Sequence, residues 1–165
     1  MVSIASRGWC LKPGHVVAIN VSPGGVPKLS VDRAFVFTHG LEGDEHTDRV
    51  HHGGALRAVC LFSNEVISAL QAEGHPIFPG AAGENVTVGG VEWSEVVPGT
   101  CWSIGDEVEI EITSYTSPCH KNARWFADGR FSRISHSLHP GSARVYAKVL
   151  AEGPIASGDQ FTRTE

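Results

Sequence analysis

Short apolar stretches at strand-like spacing, separated by turns rich in glycine and proline, run along the chain. In the clearest one, residues 106–114, Val108, Ile110 and Ile112 alternate with glutamates, the pattern of a strand with one buried and one exposed face. Similar patterns predict further strands at residues 15–21, 31–38, 56–62, 85–88, 92–97 and 143–150. Gly153-Pro154 and Gly158-Asp159 predict turns near the end of the chain.

Helix signals are fewer. Residues 63–74 carry helical periodicity, open on Ser63 as a cap and close on Gly74. Shorter helices are predicted at residues 119–126 and 131–138. Many short strands with few helices predict a mainly β fold, a closed or nearly closed β-barrel with a few peripheral helices. We expect residues 1–14 to be a loose N-terminal segment and residues 15–165 to form a single barrel domain.

Composition narrows the function classes. The net charge is -5 and the pI is about 6.0, which argues against a broad nucleic-acid surface. No apolar run approaches the length of a membrane span, and the first 11 residues lack a signal-peptide core, so we expect a cytoplasmic protein without a membrane partner. The four cysteines form no CxxC pair, which gives little support for a zinc or disulfide framework.

The sequence around Cys119 predicts a reactive thiol. A strand-like run ends at Ser117 and Pro118, a good helix cap and a good first helical residue, which would put Cys119 in the first turn of a helix. The helix dipole, Lys121 and Arg124 would all favour a thiolate there. A thiolate binds soft metals or carries sulfur. The alternative interpretation is a small buried residue at a strand end, and core packing is the expected role of Cys60 and Cys101.

A polar segment, residues 39–54, is dense in acids and histidines. Asp44, Asp48, His51 and His52 suit metal ligation or proton transfer. The adjacent histidines would point to opposite sides of a regular strand, so both could bind one ion only from an irregular loop. The alternative is a polar loop whose side chains cap turns and brace a strand.

Residues 80–85 form a small-residue loop in which backbone N–H groups could approach a ligand. Asn85 offers both a donor and an acceptor. No phosphate-loop motif is present, and a tight turn is the alternative interpretation.

Taken in order, these segments resemble a known family. The chain is similar to a stand-alone, bacterial-type MOSC domain, the C-terminal module of molybdenum cofactor sulfurases, from about His15 to about Phe161. The motifs that carry the resemblance are Gly43-Asp44, Asp48, His51-His52-Gly53-Gly54, Gly83-Glu84-Asn85, Ile104-Gly105-Asp106, Ser117-Pro118-Cys119, Tyr146-Ala147-Lys148-Val149-Leu150-Ala151-Glu152-Gly153 and Gly158-Asp159.

The resemblance implies a β-barrel that handles molybdenum cofactor (molybdopterin) or sulfur. Cys119 matches a barrel cysteine that ligates molybdenum in related amidoxime-reducing proteins, and a persulfide on Cys119 is the carrier alternative. Small bacterial members are linked to detoxification of N-hydroxylated bases. The pyridoxal phosphate of the fused sulfurases belongs to a desulfurase domain, which 165 residues are too few to include.

The resemblance also implies roles for other residues. Cys119, Asp48, His51 and His52 are the predicted catalytic residues, with a histidine as proton donor and Cys119 also as the metal ligand. Cofactor binding, permanent or transient, is predicted for Gly83, Glu84, Asn85, Ser117, Lys121 and Arg124. Ser117 stands where the family often has an arginine.

The leading hypothesis is therefore a molybdenum-cofactor-binding or sulfur-carrier domain. It would act as a reductase component or a sulfur-transfer protein, with a separate redox or sulfur-donor protein as partner and a small-molecule cofactor or substrate. Two alternatives stay open at this point. One is a metal-dependent hydrolase on the Asp44, Asp48, His51 and His52 loop. The other is a non-catalytic module that binds a ligand or partner.

Overall fold

The computed structural model describes residues 12–45 and 54–164. The strands are β1 Gly14–Val21, β2 Leu29–Val31, β3 Arg33–Phe37, β4 Gly40–Leu41, β5 Val59–Ser63, β6 Val86–Gly89, β7 Cys101–Ile104, β8 Val108–Tyr115, β9 Val145–Ala151, β10 Gly153–Ala156 and β11 Gln160–Thr164. One α-helix, α1 Asn64–Ala72, lies in the described part, with 3-10 helices at Ala55–Arg57, Trp93–Glu95, His120–Trp125 and Phe131–Ile134.

A closed barrel is the centre of the fold. Seven strands follow one another in the order β11-β7-β8-β9-β5-β6-β1, and β1 pairs with β11 to close the ring. The pairs are antiparallel except β5 and β6, which run parallel. Strand β2 extends the sheet beside β1, and a small sheet of order β10-β3-β4 lies outside the ring. The predicted β-barrel with peripheral helices is confirmed.

Apolar side chains from all parts of the ring fill the core. The alternation predicted for β8 is confirmed, because Val108, Ile110 and Ile112 are fully buried between more exposed neighbours. Phe161 on β11 stacks on Trp102 of β7 with ring centroids 4.7 Å apart. Ring closure removes the free sheet edges that a flat sheet of these strands would expose.

The parallel pair β5–β6 requires a crossover, which α1 provides. Ser63 caps α1 as predicted, since its side chain accepts a hydrogen bond from the Val66 N–H. Ile67 and Leu70 bury one face of α1 against the core. After Gly74, whose φ of 96° ends the helical turn, residues 79–85 return the chain to the barrel; we call this segment the glycine loop.

Three predicted elements differ in the structure. Residues 92–97 form a 3-10 helix, Trp93–Glu95, rather than a strand. The predicted strand at 31–38 is divided between the barrel sheet and the small sheet at Asp32. Gly153 and Pro154, predicted as a turn, begin β10, and β10 is at the edge of the small sheet, where a proline costs no ladder hydrogen bond.

Residues 1–11 lie outside the described part, so the loose N-terminal segment stays a prediction, as does the single-domain assignment; β1 begins at Gly14. No helix in residues 12–45 or 54–164 is both long and apolar enough to cross a bilayer. A cytoplasmic location remains a prediction.

Candidate functional site

One pocket on the barrel brings together segments that are far apart in sequence. Its empty volume is about 660 Å³, which includes the part open to solvent. Its wall comes from the loop after β1, the glycine loop, the segment after β8, and the inner ends of β5 and β9. Cys119 and Asn85 both line it, and so do Gly83, Ser117 and Lys121. The structure therefore joins the Cys119 segment and the glycine loop in one cavity, with Glu45 of the polar segment also in its wall; we call this cavity the Cys119 pocket.

Cys119 is half-buried at the mouth of this pocket. The backbone carbonyl of Cys119 accepts a hydrogen bond from the Asn122 N–H at 2.9 Å, which starts the 3-10 helix His120–Trp125. Cys119 is itself the N-terminal cap, so the prediction that Ser117 caps the helix is wrong; Ser117 is an exposed residue of the pocket wall. The helix is six residues long and of the 3-10 type, so its dipole is weaker than the sequence argument assumed.

Asn122 fixes the Cys119 segment to the glycine loop. It is 1% exposed, and its side-chain amide donates to the Ala82 carbonyl at 3.2 Å. Its side-chain oxygen accepts from the Cys119 N–H at 3.4 Å, a long hydrogen bond. Because one buried side chain contacts both segments, the position of Cys119 depends on the conformation of the glycine loop.

Glu84 holds the glycine loop from below and is not among the residues that line the Cys119 pocket. Its Oε1 accepts hydrogen bonds from the Gly80 N–H at 2.7 Å and from the Thr87 hydroxyl at 3.0 Å. Its Oε2 is buried and has no hydrogen-bond partner within residues 12–45 and 54–164. Burial raises the pKa of the Glu84 carboxyl, against the opposing effect of those hydrogen bonds and the Arg144 charge. Any effect of Glu84 on a ligand would pass through the loop.

Asn85 is the centre of a buried polar network. Its Oδ1 accepts from the Cys60 N–H at 3.0 Å, and its Nδ2 donates to Asp44 Oδ2 at 2.8 Å. Asp44 in turn pairs with the Lys28 ammonium at 2.5 Å and accepts from the Ser22 N–H at 2.9 Å. Both side chains of the ion pair are buried, at 8% and 1% exposure. Asp44 therefore braces the loop against the barrel.

This network bears on the hydrolase alternative. The Asp44 carboxylate is occupied by Lys28, Asn85 and Ser22, so it is poorly available as a zinc ligand. In residues 12–45 and 54–164 no group of three or more His, Cys, Asp or Glu side chains could hold a metal ion. Asp48, His51 and His52 lie outside the described residues, and their predicted catalytic roles stay predictions.

Sequence reasoning missed Arg144, Tyr146 and Cys60 as parts of the site, although all three line the pocket. Arg144 is 6% exposed and directly precedes β9, where Val145, Tyr146 and Ala147 are buried in succession. The sequence did contain a signal for Arg144. It is a charged residue at the start of a strand that is buried on both faces, and a charge in such a place needs a partner.

Burial dominates the titration of the acidic groups on the pocket floor. The pKa of the Cys60 thiol is raised by desolvation, and the Thr116 hydroxyl lies 3.8 Å from its sulfur. Desolvation also raises the pKa of Tyr146 to about 12. At neutral pH both groups are therefore uncharged, and Cys60 behaves as the core-like residue that the sequence predicted.

A second, more open cavity adjoins the first and shares Gly25, Val26 and Lys121 with it. Arg124 lines this cavity; its Nη2 donates to the Val26 carbonyl at 2.5 Å, and its guanidinium lies 4.6 Å from the Trp125 ring centroid. His120 is also part of the wall. The predicted ligand-binding cations Lys121 and Arg124 thus lie along one opening, although the whole chain is acidic.

The sequence of residues 48–162 matches the family model of the MOSC domain. The chain belongs to the MOSC domain family. The matched range contains the glycine loop, the Cys119 segment and β9, so it covers most of the pocket wall of this MOSC domain.

Curated relatives agree with this assignment. Uncharacterized protein YflK of Bacillus subtilis is 27% identical over 84% of this MOSC chain, and protein YiiM of Escherichia coli is 31% identical over 82%. A protein named reductase from Gibberella moniliformis is 30% identical over 79% of the chain. The chain spans 62% of YflK, 61% of YiiM and 24% of the reductase.

A solved structure confirms the fold. The YuaD protein from Bacillus subtilis superimposes with a TM-score of 0.75 at 17% identity, covering 91% of this chain and 94% of that one. At that identity the likeness concerns the MOSC barrel alone.

Proposed function

We propose that this MOSC domain binds molybdenum cofactor, with Cys119 as the protein ligand of the metal. The observation that carries the proposal is the shared pocket: a half-buried thiol and the glycine loop line one cavity together with cationic side chains. Membership of the MOSC family supports the same cofactor class.

The residues of the pocket fit such a group. A thiolate is a soft ligand, suited to a soft metal centre with sulfur ligands. Gly83 has a φ of 101° and adds no side chain, so the backbone can approach a ligand closely there. Ser117, Lys121 and Arg124 would contact the pterin part, while Glu84 and Asn85 would hold the loop that forms its wall.

Bound molybdenum cofactor would supply two-electron redox chemistry. The chain itself would hold the metal through Cys119 and exclude water on the barrel side of the pocket. Reduction of an N-hydroxylated compound to the amine and water takes two electrons and two protons. Electrons would come from a separate redox protein, and His51, His52 or Asp48 would move protons. The name of the reductase relative supports this direction; the sulfur carrier with a Cys119 persulfide is the alternative within the same site.

The test is metal and mass analysis of protein made in a host that produces the cofactor. We expect molybdenum in the wild type and its loss in Cys119→Ala. Cys101→Ala is the matched control, because Cys101 is also a partly exposed free cysteine but lies on β7 and does not line the pocket. A mass increase of one sulfur atom on Cys119, without molybdenum, would favour the carrier alternative. Wild-type protein with neither molybdenum nor added sulfur would contradict both.

A further inference from the structure

Arg144 carries a buried positive charge that the described residues do not neutralise. Its side chain lines the floor of the Cys119 pocket, and the residue is 6% exposed. Its Nη1 donates to the Ala82 carbonyl at 2.6 Å. Its Nε is buried and has no acceptor among the described residues. In residues 12–45 and 54–164 no carboxylate lies within ion-pair distance of this guanidinium.

The acidic groups around Arg144 interact with it at longer range, but no described carboxylate forms an ion pair with it. Cys60, Glu84 and Tyr146 all feel the guanidinium, which lowers the pKa of each. Burial outweighs that effect for all three, so their pKa values are raised. No ion pair joins the Glu84 carboxyl to Arg144 in the described residues. Glu45 also lines the pocket and carries a carboxylate. It is exposed at the rim and forms no ion pair with Arg144.

Lys28 provides the contrast within the same pocket. Its ammonium is as deeply buried, but Asp44 lies 2.5 Å away and completes the pair. A buried cation without such a partner is strongly unfavourable, because it has lost its hydration and gained no countercharge. A guanidinium presents planar N–H groups that match oxyanions such as phosphate. The missing partner of Arg144 is therefore expected to enter with a ligand.

We propose that Arg144 is the anchor of an oxyanion subsite on the floor of the Cys119 pocket, and that it binds a phosphate group of the ligand. Lys121 adds positive charge where the two cavities meet, and Ser117 adds a hydroxyl at the same wall. The proposal deepens the cofactor proposal and rests on it for the identity of the ligand. The affinity of the empty chain for phosphate does not depend on that identity.

Thermal unfolding of the cofactor-free chain tests the subsite directly. Inorganic phosphate or pyrophosphate is titrated against chloride at equal ionic strength. Above the dissociation constant, the wild-type midpoint should rise by roughly 3–5 °C for each tenfold increase in free anion. Arg144→Met should abolish the rise, and without phosphate it should be at least as stable as the wild type. A wild-type midpoint that does not respond to either anion, or an equal response in Arg144→Met, would overturn the proposal.

Three further variants sharpen the result. Arg144→Lys keeps the charge but loses the fork of N–H groups, and should keep part of the phosphate response. Arg133→Met is the matched control: this arginine pairs with Glu73 outside the pocket, and its loss should leave the response intact. Glu84→Gln should also respond as the wild type does. A phosphate response that is absent in the wild type and appears in Glu84→Gln would make Glu84 the countercharge of Arg144 instead, and would overturn the proposal.

The phosphate group could come from the pterin cofactor or from a phosphorylated substrate. If the cofactor supplies it, Arg144→Met isolated from a cofactor-producing host should carry less molybdenum and pterin than the wild type. If the substrate supplies it, cofactor content should be unchanged and the KM for a phosphorylated N-hydroxylated nucleoside should rise, with little change for the free nucleoside. A phosphate response that requires Arg144 in a chain that never acquires molybdenum would support the subsite and contradict the cofactor proposal.

Discussion

Replacing Asp44 with asparagine should destabilise the barrel and loosen the pocket together. Asp44 is an acceptor only: Oδ1 accepts from the Ser22 N–H, while Oδ2 accepts from Lys28 and Asn85. An asparagine side chain has one oxygen and one NH₂ group. Whichever way it turns, its NH₂ faces a donor, and the Lys28 ammonium loses its countercharge.

The structure sets the size of the effect. Removing one partner of a buried ion pair costs about 3–5 kcal/mol, and a buried donor left unsatisfied costs about 1–3 kcal/mol. These terms overlap, so we expect Asp44→Asn to lower the free energy of unfolding by about 3–5 kcal/mol, against a total of about 5–15 kcal/mol for a domain. Lys28→Met should cost less, about 1–3 kcal/mol, because the carboxylate keeps the Ser22 and Asn85 hydrogen bonds.

Urea unfolding followed by tryptophan fluorescence measures these differences. The double variant Asp44→Asn with Lys28→Met should be less destabilised than the sum of the two, since no unpaired ammonium remains. The control is Lys148→Met, which removes the partly exposed surface pair Lys148–Glu111 and should cost less than about 1 kcal/mol. An Asp44→Asn protein within about 1 kcal/mol of the wild type would refute the reasoning about buried acceptors.

Three further predictions follow from the pocket. Burial raises the pKa of the Glu84 carboxyl above its ordinary value of 4.5, which applies in the unfolded chain. The folded chain therefore keeps the carboxyl proton to a higher pH than the unfolded chain does. As a result, the free energy of unfolding falls as the pH rises above 4.5. Glu84→Gln should show a smaller fall in stability as the pH rises above 4.5, measured by urea unfolding at a series of pH values, and equal slopes in the two proteins would contradict this. Gly80→Ala should be clearly more destabilising in thermal unfolding than Gly99→Ala: both glycines have positive φ, but a Cβ at Gly80 would clash with the Lys28 carbonyl, whereas one at Gly99 would meet nothing within 4 Å. In timed alkylation with mass mapping, Cys119 should react first and Cys60 only on unfolding or at alkaline pH, because Cys60 is 5% exposed and its thiol pKa is raised; equal rates would argue against a sealed Cys60.

Local patterns determined much of the fold. The alternation of residues 106–114 predicted β8, and the Ser63 cap with Gly74 predicted α1, because these signals depend only on neighbours in the chain. The strand prediction for residues 92–97 was wrong, because contacts with distant residues determine the local structure there. Trp93 is buried and its indole N–H donates to the Ala143 carbonyl at 2.9 Å, which favours a helical turn.

The sequence also distinguished Cys119 from the other cysteines, because a proline precedes it and the cationic side chains Lys121 and Arg124 follow it. The tertiary structure decided what surrounds it. Ring closure brings the start of β9 and the end of the β1 loop to the same cavity as Cys119, so Arg144 and Lys28 became neighbours of the site only through the fold. Whether a charge is paired depends on distances across the barrel. Asp44 forms an ion pair with Lys28, whereas no described carboxylate forms one with Arg144. The residues next to Lys28 and Arg144 in the sequence do not predict this difference.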